Sequence, residues 1–103
     1  MYLTKGQIII PEEKLTEYLL IYKERNDKSG FLEAIGFTLE NWHDLAIEIA
    51  ELAISNECVH QKKSNFGDLY SISGKLRGLA AVTIWFFIEP SNQFRFVTLF
   101  PQK

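Results

Sequence analysis

Apolar positions change their period once along this chain, and the change divides it. Through the first half they recur at helical spacing. Gln7-Ile8-Ile9-Ile10 is a short β-branched run stopped by Pro11, and Pro at a first helical position followed by Glu12 and Glu13 marks a helix start. Leu15, Tyr18, Leu19 and Tyr22 then fall at i, i+3, i+4 and i+7, one face of a first helix that Asn26-Asp27 ends. Ser29 stands to cap a short second helix carrying Phe31, Leu32 and Ile35, closed by Gly36 in the left-handed conformation with Phe37 folding back. A third helix is predicted from Asn41 to Ser55. Asn41 caps it, Trp42, Leu45, Ile49, Leu52 and Ala53 form its buried side, and Glu40, Glu48 and Glu51 lie outside.

After Asn56 the period falls to two. Glu57–Lys63 and Phe66–Ser73 alternate, with turns at Ser64-Asn65 and Gly74-Lys75, and Gly67 marks a bulge or turn edge. Leu79–Glu89 is a long β-branched and aromatic run, too continuous for an edge strand and therefore central. Pro90-Ser91-Asn92 is a turn, and Gln93–Phe100 is a last strand stopped by Pro101. The expected fold is α+β: three N-terminal helices packed on one face of a four-stranded antiparallel meander sheet. The whole chain, 1–103, reads as one domain with a helical part over 11–55 and a sheet part over 57–100.

Composition narrows the class. With 103 residues and 47% hydrophobic content, the chain can build a core without a disulfide or metal staple and is too apolar for disorder. No apolar run reaches the ~18–20 residues of a membrane span, and the start lacks the features of a secretory signal, so a cytoplasmic protein with no membrane partner is expected. The lone Cys58 has no internal bridging partner and reads as a buried, inert thiol. Two histidines and one cysteine spread along the chain show no metal-ligand spacing, and neither a metal nor another cofactor is expected.

Charge changes the picture more than composition does. The net −2 is the sum of two unlike halves: eleven acids against five bases in residues 1–57, a net of −6, and six bases against two acids in residues 58–103, a net of +4. The cations belong to the strands, where they can make one surface attractive to phosphate.

Strict alternation puts Cys58, His60 and Lys62 on one side of the first main strand and Val59, Gln61 and Lys63 on the other. In the last strand it sets Gln93, Arg95, Val97 and Leu99 against Phe94, Phe96, Thr98 and Phe100. The central strand is apolar both ways, Thr83, Trp85 and Phe87 facing one side and Val82, Ile84, Phe86 and Ile88 the other. One side packs on the helices, and the other needs a dimer partner, another protein or a ligand to cover it. Aromatic rings beside Arg and Lys suit RNA, whose bases stack and whose phosphates pair with cations.

Metal-independent RNA cleavage needs a group that moves the 2′-hydroxyl proton, a group that protonates the leaving oxygen and cations that hold the phosphate. His60 is the one histidine of the basic half and the candidate acid or base. Lys62, Arg77 and Arg95 are candidate phosphate clamps and Thr98 a hydrogen-bond donor, with Lys63, Tyr70, Lys75, Thr83 and Trp85 as candidate substrate contacts. His43, beside Asp44 on the third helix, reads as a solvated surface residue. Gly74-Lys75-Leu76-Arg77-Gly78 lacks the spacing and following helix of a phosphate loop and reads as a hairpin turn that carries two cations.

The residue order also carries a resemblance. Lys14-Leu15…Tyr18-Leu19-Leu20, Lys28-x-x-Phe31-Leu32-x-x-Ile35-Gly36-Phe37, Glu40-Asn41-Trp42, Phe66-Gly67…Gly74-x-Leu76-x-Gly78, Thr83-Ile84-Trp85 and Val97-Thr98-Leu99-Phe100-Pro101 resemble a small uncharacterised bacterial domain family. That family is common in cyanobacteria and is found alone or at the end of polymorphic-toxin chains. The resemblance implies a toxin component, more distantly similar in layout to the ribonuclease-toxin superfamily of barnase, EndoU, colicin-type and RelE-like proteins. It further implies an RNA substrate and a cognate antitoxin protein. Lys14, Lys28, Thr83 and Thr98 match the family's polar residues, whereas Val82 stands where the family has Arg and Phe100 where it has Tyr. The chain is therefore expected to be a toxin-like metal-independent ribonuclease or, alternatively, a non-catalytic interaction domain that dimerises or binds a protein through the open aromatic sheet face.

Overall fold

Because its central strand is apolar on both faces, the chain builds its sheet around residues 79–88 and lays its helices on one side. The computed structural model describes residues 1–21, 29–88 and 91–102. Among these residues five strands form one mixed sheet: β1 (Ile8–Ile9), β2 (Cys58–Lys63), β3 (Asp68–Leu76), β4 (Leu79–Ile88) and β5 (Gln93–Pro101), in spatial order β1-β5-β4-β3-β2. β2 to β5 make the expected antiparallel meander. β1 adds parallel to β5, with Ile8 opposite Phe94 and Ile9 opposite Arg95. The four-stranded, wholly antiparallel sheet is therefore corrected to five strands with one parallel pair. The β-branched run before Pro11 occupies the otherwise free edge of β5, and a two-residue pairing between distant segments leaves no periodic signal in sequence.

The three-helix layer is corrected as well. Among the described residues only α3 (Trp42–Ser55) is a long helix; α2 (Ser29–Ala34) covers six residues there, and α1 (Glu12–Lys14) is a single turn. α1 widens at once into a π-helical turn over Leu15–Leu19, in which the Leu20 N–H donates to the Leu15 carbonyl at 3.0 Å. Leu15, Leu19 and Leu20 are all buried there while Tyr18 is exposed. The wider turn lets the adjacent leucines 19 and 20 share the core side, so burial overrides the 3.6-residue period. Tyr22 and the Asn26-Asp27 stop lie outside the described residues.

Other local readings hold in part. Gly36 is left-handed (φ +93°), and the Phe37 N–H returns to the Leu32 carbonyl at 2.9 Å with its ring buried. α3 buries Leu45, Ile49, Leu52 and Ala53. Asn41 sits at its N-cap position, but its side chain turns back: Oδ1 accepts from the Thr38 N–H at 2.7 Å and Nδ2 donates to the Gly36 carbonyl at 2.8 Å. Trp42 is only half-buried and stacks on exposed His43, ring centroids 3.7 Å apart.

The predicted turn at Gly74-Lys75 moves three residues on. β3 continues to Leu76, and the hairpin turns at Arg77-Gly78, both with positive φ (49° and 85°), as a tight two-residue turn requires. Gly74 stays in the strand because α3 lies against it: a Cβ there would stand 2.5 Å from Asn56 Nδ2 and 2.9 Å from Leu52 Cγ.

The core fills the space between the helical layer and one sheet face. Ile72, Leu76, Ala81, Trp85, Phe94, Phe96 and Leu99 meet Leu15, Leu19, Leu32, Leu45 and Ile49. Within it, the Trp85 indole N–H donates to Thr83 Oγ at 2.7 Å, and the Thr83 hydroxyl donates to the Ile72 carbonyl at 2.8 Å. Both side chains are fully buried, so Thr83 and Trp85, expected at a substrate surface, are core residues. A buried indole N–H that loses its acceptor keeps its full desolvation cost. Thr83→Val is therefore expected to destabilise the fold by about 1–3 kcal/mol, and by clearly less in a Trp85→Phe background, as read from urea unfolding midpoints in a double-mutant cycle.

Candidate functional site: the open face of the sheet

The side chains that β4 directs away from the helices have no covering layer among the described residues. Val82, Ile84 and Phe86 remain half-buried in the middle of the sheet, and Val59 and Phe100 are 46% and 40% exposed. Strand register assembles them into rows. Lys62, Leu69, Phe86, Arg95 and Ile9 form one; Val59, Ser71, Ile84 and Thr98 the next; Ser73, Val82 and Phe100 a third; Lys75 and Ala80 a fourth. An apolar stripe thus runs along β4 with cations to either side. Asp68 is the one acid in the five strands, and it faces the helical side. A cleft of about 250 Å³ opens at the β5 end of the first row, between Ile9, Phe86, Ser91, Gln93 and Arg95.

Two bulges decide which predicted residues reach this face. β2 is irregular between His60 and Lys62: His60 pairs with Tyr70, but Lys62 pairs with Leu69. A bulge between Ile84 and Trp85 on the β4–β5 ladder likewise sets Thr98 opposite Ile84 and Leu99 opposite Thr83. Each extra residue reverses the alternation beyond it. Lys62 consequently leaves the side of His60, and Thr98 joins the side of Arg95.

The ten candidate residues accordingly divide. Lys62, Lys75, Arg95 and Thr98 share the open face. His60, Lys63 and Tyr70 lie on the opposite side, at the β2 edge, and Thr83 and Trp85 are interior. Arg77 is committed elsewhere: its Nη1 donates to the Ile35 carbonyl at 3.0 Å, its guanidinium lies 4.0 Å from the Phe37 ring centroid, and its Nε is 3.8 Å from a Glu48 oxygen. It ties the β3–β4 turn to the helical layer. The catalytic set of His60, Lys62, Arg77, Arg95 and Thr98 therefore does not converge on one surface.

One arrangement was not foreseen. His60 Nε2 lies 3.2 Å from Asp68 Oδ2, and the imidazole meets the Tyr70 ring edge-on at 5.1 Å. Lys63 pairs with Asp68 across the same hairpin. The β2–β3 turn beside them holds a cleft of about 290 Å³ and carries Phe66, which is 82% exposed. Gly67 lets this turn close over β4, since a Cβ would stand 2.5 Å from the Phe87 carbonyl oxygen. The bulge takes Lys62 off this side and sets Lys63 opposite Asp68, which strict alternation does not anticipate.

A protein-family profile described as a domain of unknown function matches residues 4–103, nearly the whole chain. The chain belongs to that family, DUF6883. No curated protein and no solved structure matches it. The DUF6883 domain has no described helix long and apolar enough to cross a membrane. Among its described residues no group of three or more His, Cys, Asp or Glu side chains could hold a metal ion.

Cys58 begins β2 on the helical side and is 3% exposed. Burial, opposed weakly by the N-terminal ammonium, pushes its thiol up to about 11. Since the thiolate is the reactive form, Cys58 in the folded domain is expected to react with Ellman's reagent far more slowly at pH 8 than in 6 M guanidinium. Equal rates in the two conditions would contradict the burial.

Proposed function

We propose that the DUF6883 domain is an interaction module that docks a partner on the open face of its sheet. The observation that carries this reading is the mismatch at β4: large apolar side chains on both faces, a helical layer on one. Apolar sheet faces ringed by polar groups mark association surfaces. The sheet edges are poorly suited to strand addition, since β1 is two residues long and β2 carries Lys62, Lys63 and a bulge. Association through the face is the geometry that remains. Replacement of Phe100 or Ser73 by the photoreactive p-benzoylphenylalanine is expected to give a discrete crosslinked species in cells, while the same group at Ile47, exposed on α3, gives none. Absence of crosslinks from both sheet positions would refute the reading.

A second reading keeps the toxin-like ribonuclease, acting on RNA in the cytoplasm and neutralised by a cognate antitoxin, in a narrower form. It is favoured by the His60–Asp68 contact, which orients an imidazole at a half-exposed edge beside Lys63 and the turn cleft. In this form His60 takes the 2′-hydroxyl proton as the 2′-oxygen attacks phosphorus, the bond from phosphorus to the 5′-oxygen breaks and that oxygen takes a proton from water, while Asp68 holds the ring and Lys63 neutralises the phosphate. Purified domain is then expected to cleave RNA in the presence of EDTA, and His60→Ala to reduce the rate by at least 100-fold. Intact RNA, or cleavage unaffected by the substitution, removes this reading.

A further inference from the structure

We infer that the occupant of the open face is an acidic amphipathic helix of another polypeptide, an inference that rests on the docking reading above. Three features of the face select it. The first is charge. Lys62, Lys75 and Arg95 are exposed around the stripe, and none of the acids of the strands faces that side. A second copy of the chain, docked face to face, would bring these cations against one another with no carboxylate among the described strand residues of either face to pair them. An acidic partner meets the opposite condition.

The second feature is the chemistry of the stripe. The rings of Tyr70, Trp85, Phe87, Phe94 and Phe96 all lie on the helical side, packed edge-on or tilted with centroids 4.7–6.3 Å apart. What the open face offers is mainly aliphatic: Val59, Leu69, Val82 and Ile84, with half-buried Phe86 and rim-placed Phe100. Bases need exposed π-faces to stack on. Aliphatic side chains instead suit the apolar side of a helix, as Ile72 and Leu76 do for α3 on the opposite face.

The third feature is dimension. From Ala80 to Phe86 the stripe runs about 20 Å at the rise of a strand, the length of a helix of about 13 residues. Lys62 on β2 and Arg95 on β5 stand three strand spacings apart, about 14 Å at backbone level. A helix with its side chains is about 10–12 Å across, so it fits between them and can present a carboxylate to each. The cleft at Ile9, Phe86 and Arg95 then receives one apolar side chain at the end of the helix. Docked in this way, the partner completes a three-layer α/β/α arrangement that the chain builds only in part.

The test uses the whole domain and a pair of synthetic 14-residue helical peptides that share Leu at i, i+3, i+4, i+7 and i+11. One has Glu at the flanking positions, the other Lys. By titration at 50 mM salt, the Glu peptide is expected to bind at least tenfold more tightly than the Lys peptide, and the Lys62→Glu/Arg95→Glu variant to invert that order. Circular dichroism and an unchanged urea midpoint establish that the variant is folded. Equal affinities, or a preference that survives the charge reversal, overturn the inference. So does tighter binding of a 12-nucleotide uridine oligomer that the reversal abolishes, which assigns the face to nucleic acid. Micromolar self-association lost on reversal assigns it to a second copy and overturns it equally. Crosslinks from position 100 that persist beside any of these results leave the docking reading standing while this inference falls; loss of the crosslinks removes both.

Discussion

Strand β4 carries large apolar side chains toward both faces of the sheet, and the rest of the domain is arranged around that demand. On one face the demand is met. Trp85 is fully buried, meets Phe96 edge-on at 5.4 Å, and has its indole N–H satisfied by Thr83 rather than by water. Such ring pairs contribute about 0.5–1.5 kcal/mol beyond the area they bury. The threonine is what allows a tryptophan, with its obligatory donor, to sit in the middle of the layer. On the other face Val82, Ile84 and Phe86 are left half-buried, and that incomplete coverage is the domain's most informative functional feature.

The distribution of charge follows the same division. The acids of α3 lie on its outer side, with Glu48 near Arg77 and Glu51 at 3.5 Å from Lys5. The strand cations Lys62, Lys75 and Arg95 remain on the open face without a described carboxylate partner. Exposed ion pairs of the first kind contribute little to stability. The strand cations give the open face a positive sign toward an approaching partner.

Particular residues show where reading the chain succeeded and where it failed. The switch from helical to extended period near Asn56, the central place of residues 79–88, the left-handed Gly36 and the buried Leu45, Ile49, Leu52 and Ala53 of α3 are legible in the sequence, because each depends on local period or on one residue's backbone freedom. The extra strand at Ile8–Ile9 was not, since pairing with β5 is a tertiary contact. The widened turn at Leu15–Leu19 was not, because packing overrode propensity. For the site, the failure has one cause. Alternation placed His60 with Lys62, and Val97 with Leu99 beside Arg95; a bulge in each ladder reversed both assignments. Neither bulge carries a glycine or proline that would announce it.

By itself, the sequence determined that an α+β domain with a two-faced apolar strand would exist and that the excess of bases would fall in its extended half, because hydrophobic period and residue charge are properties of neighbours along the chain. Tertiary structure alone decided which cations share a surface, that His60 meets Asp68 instead of Lys62, that Thr83 and Trp85 are interior, and which side of β4 stays uncovered. Those outcomes depend on strand register, and register is set by contacts between segments that the chain brings together only when it folds.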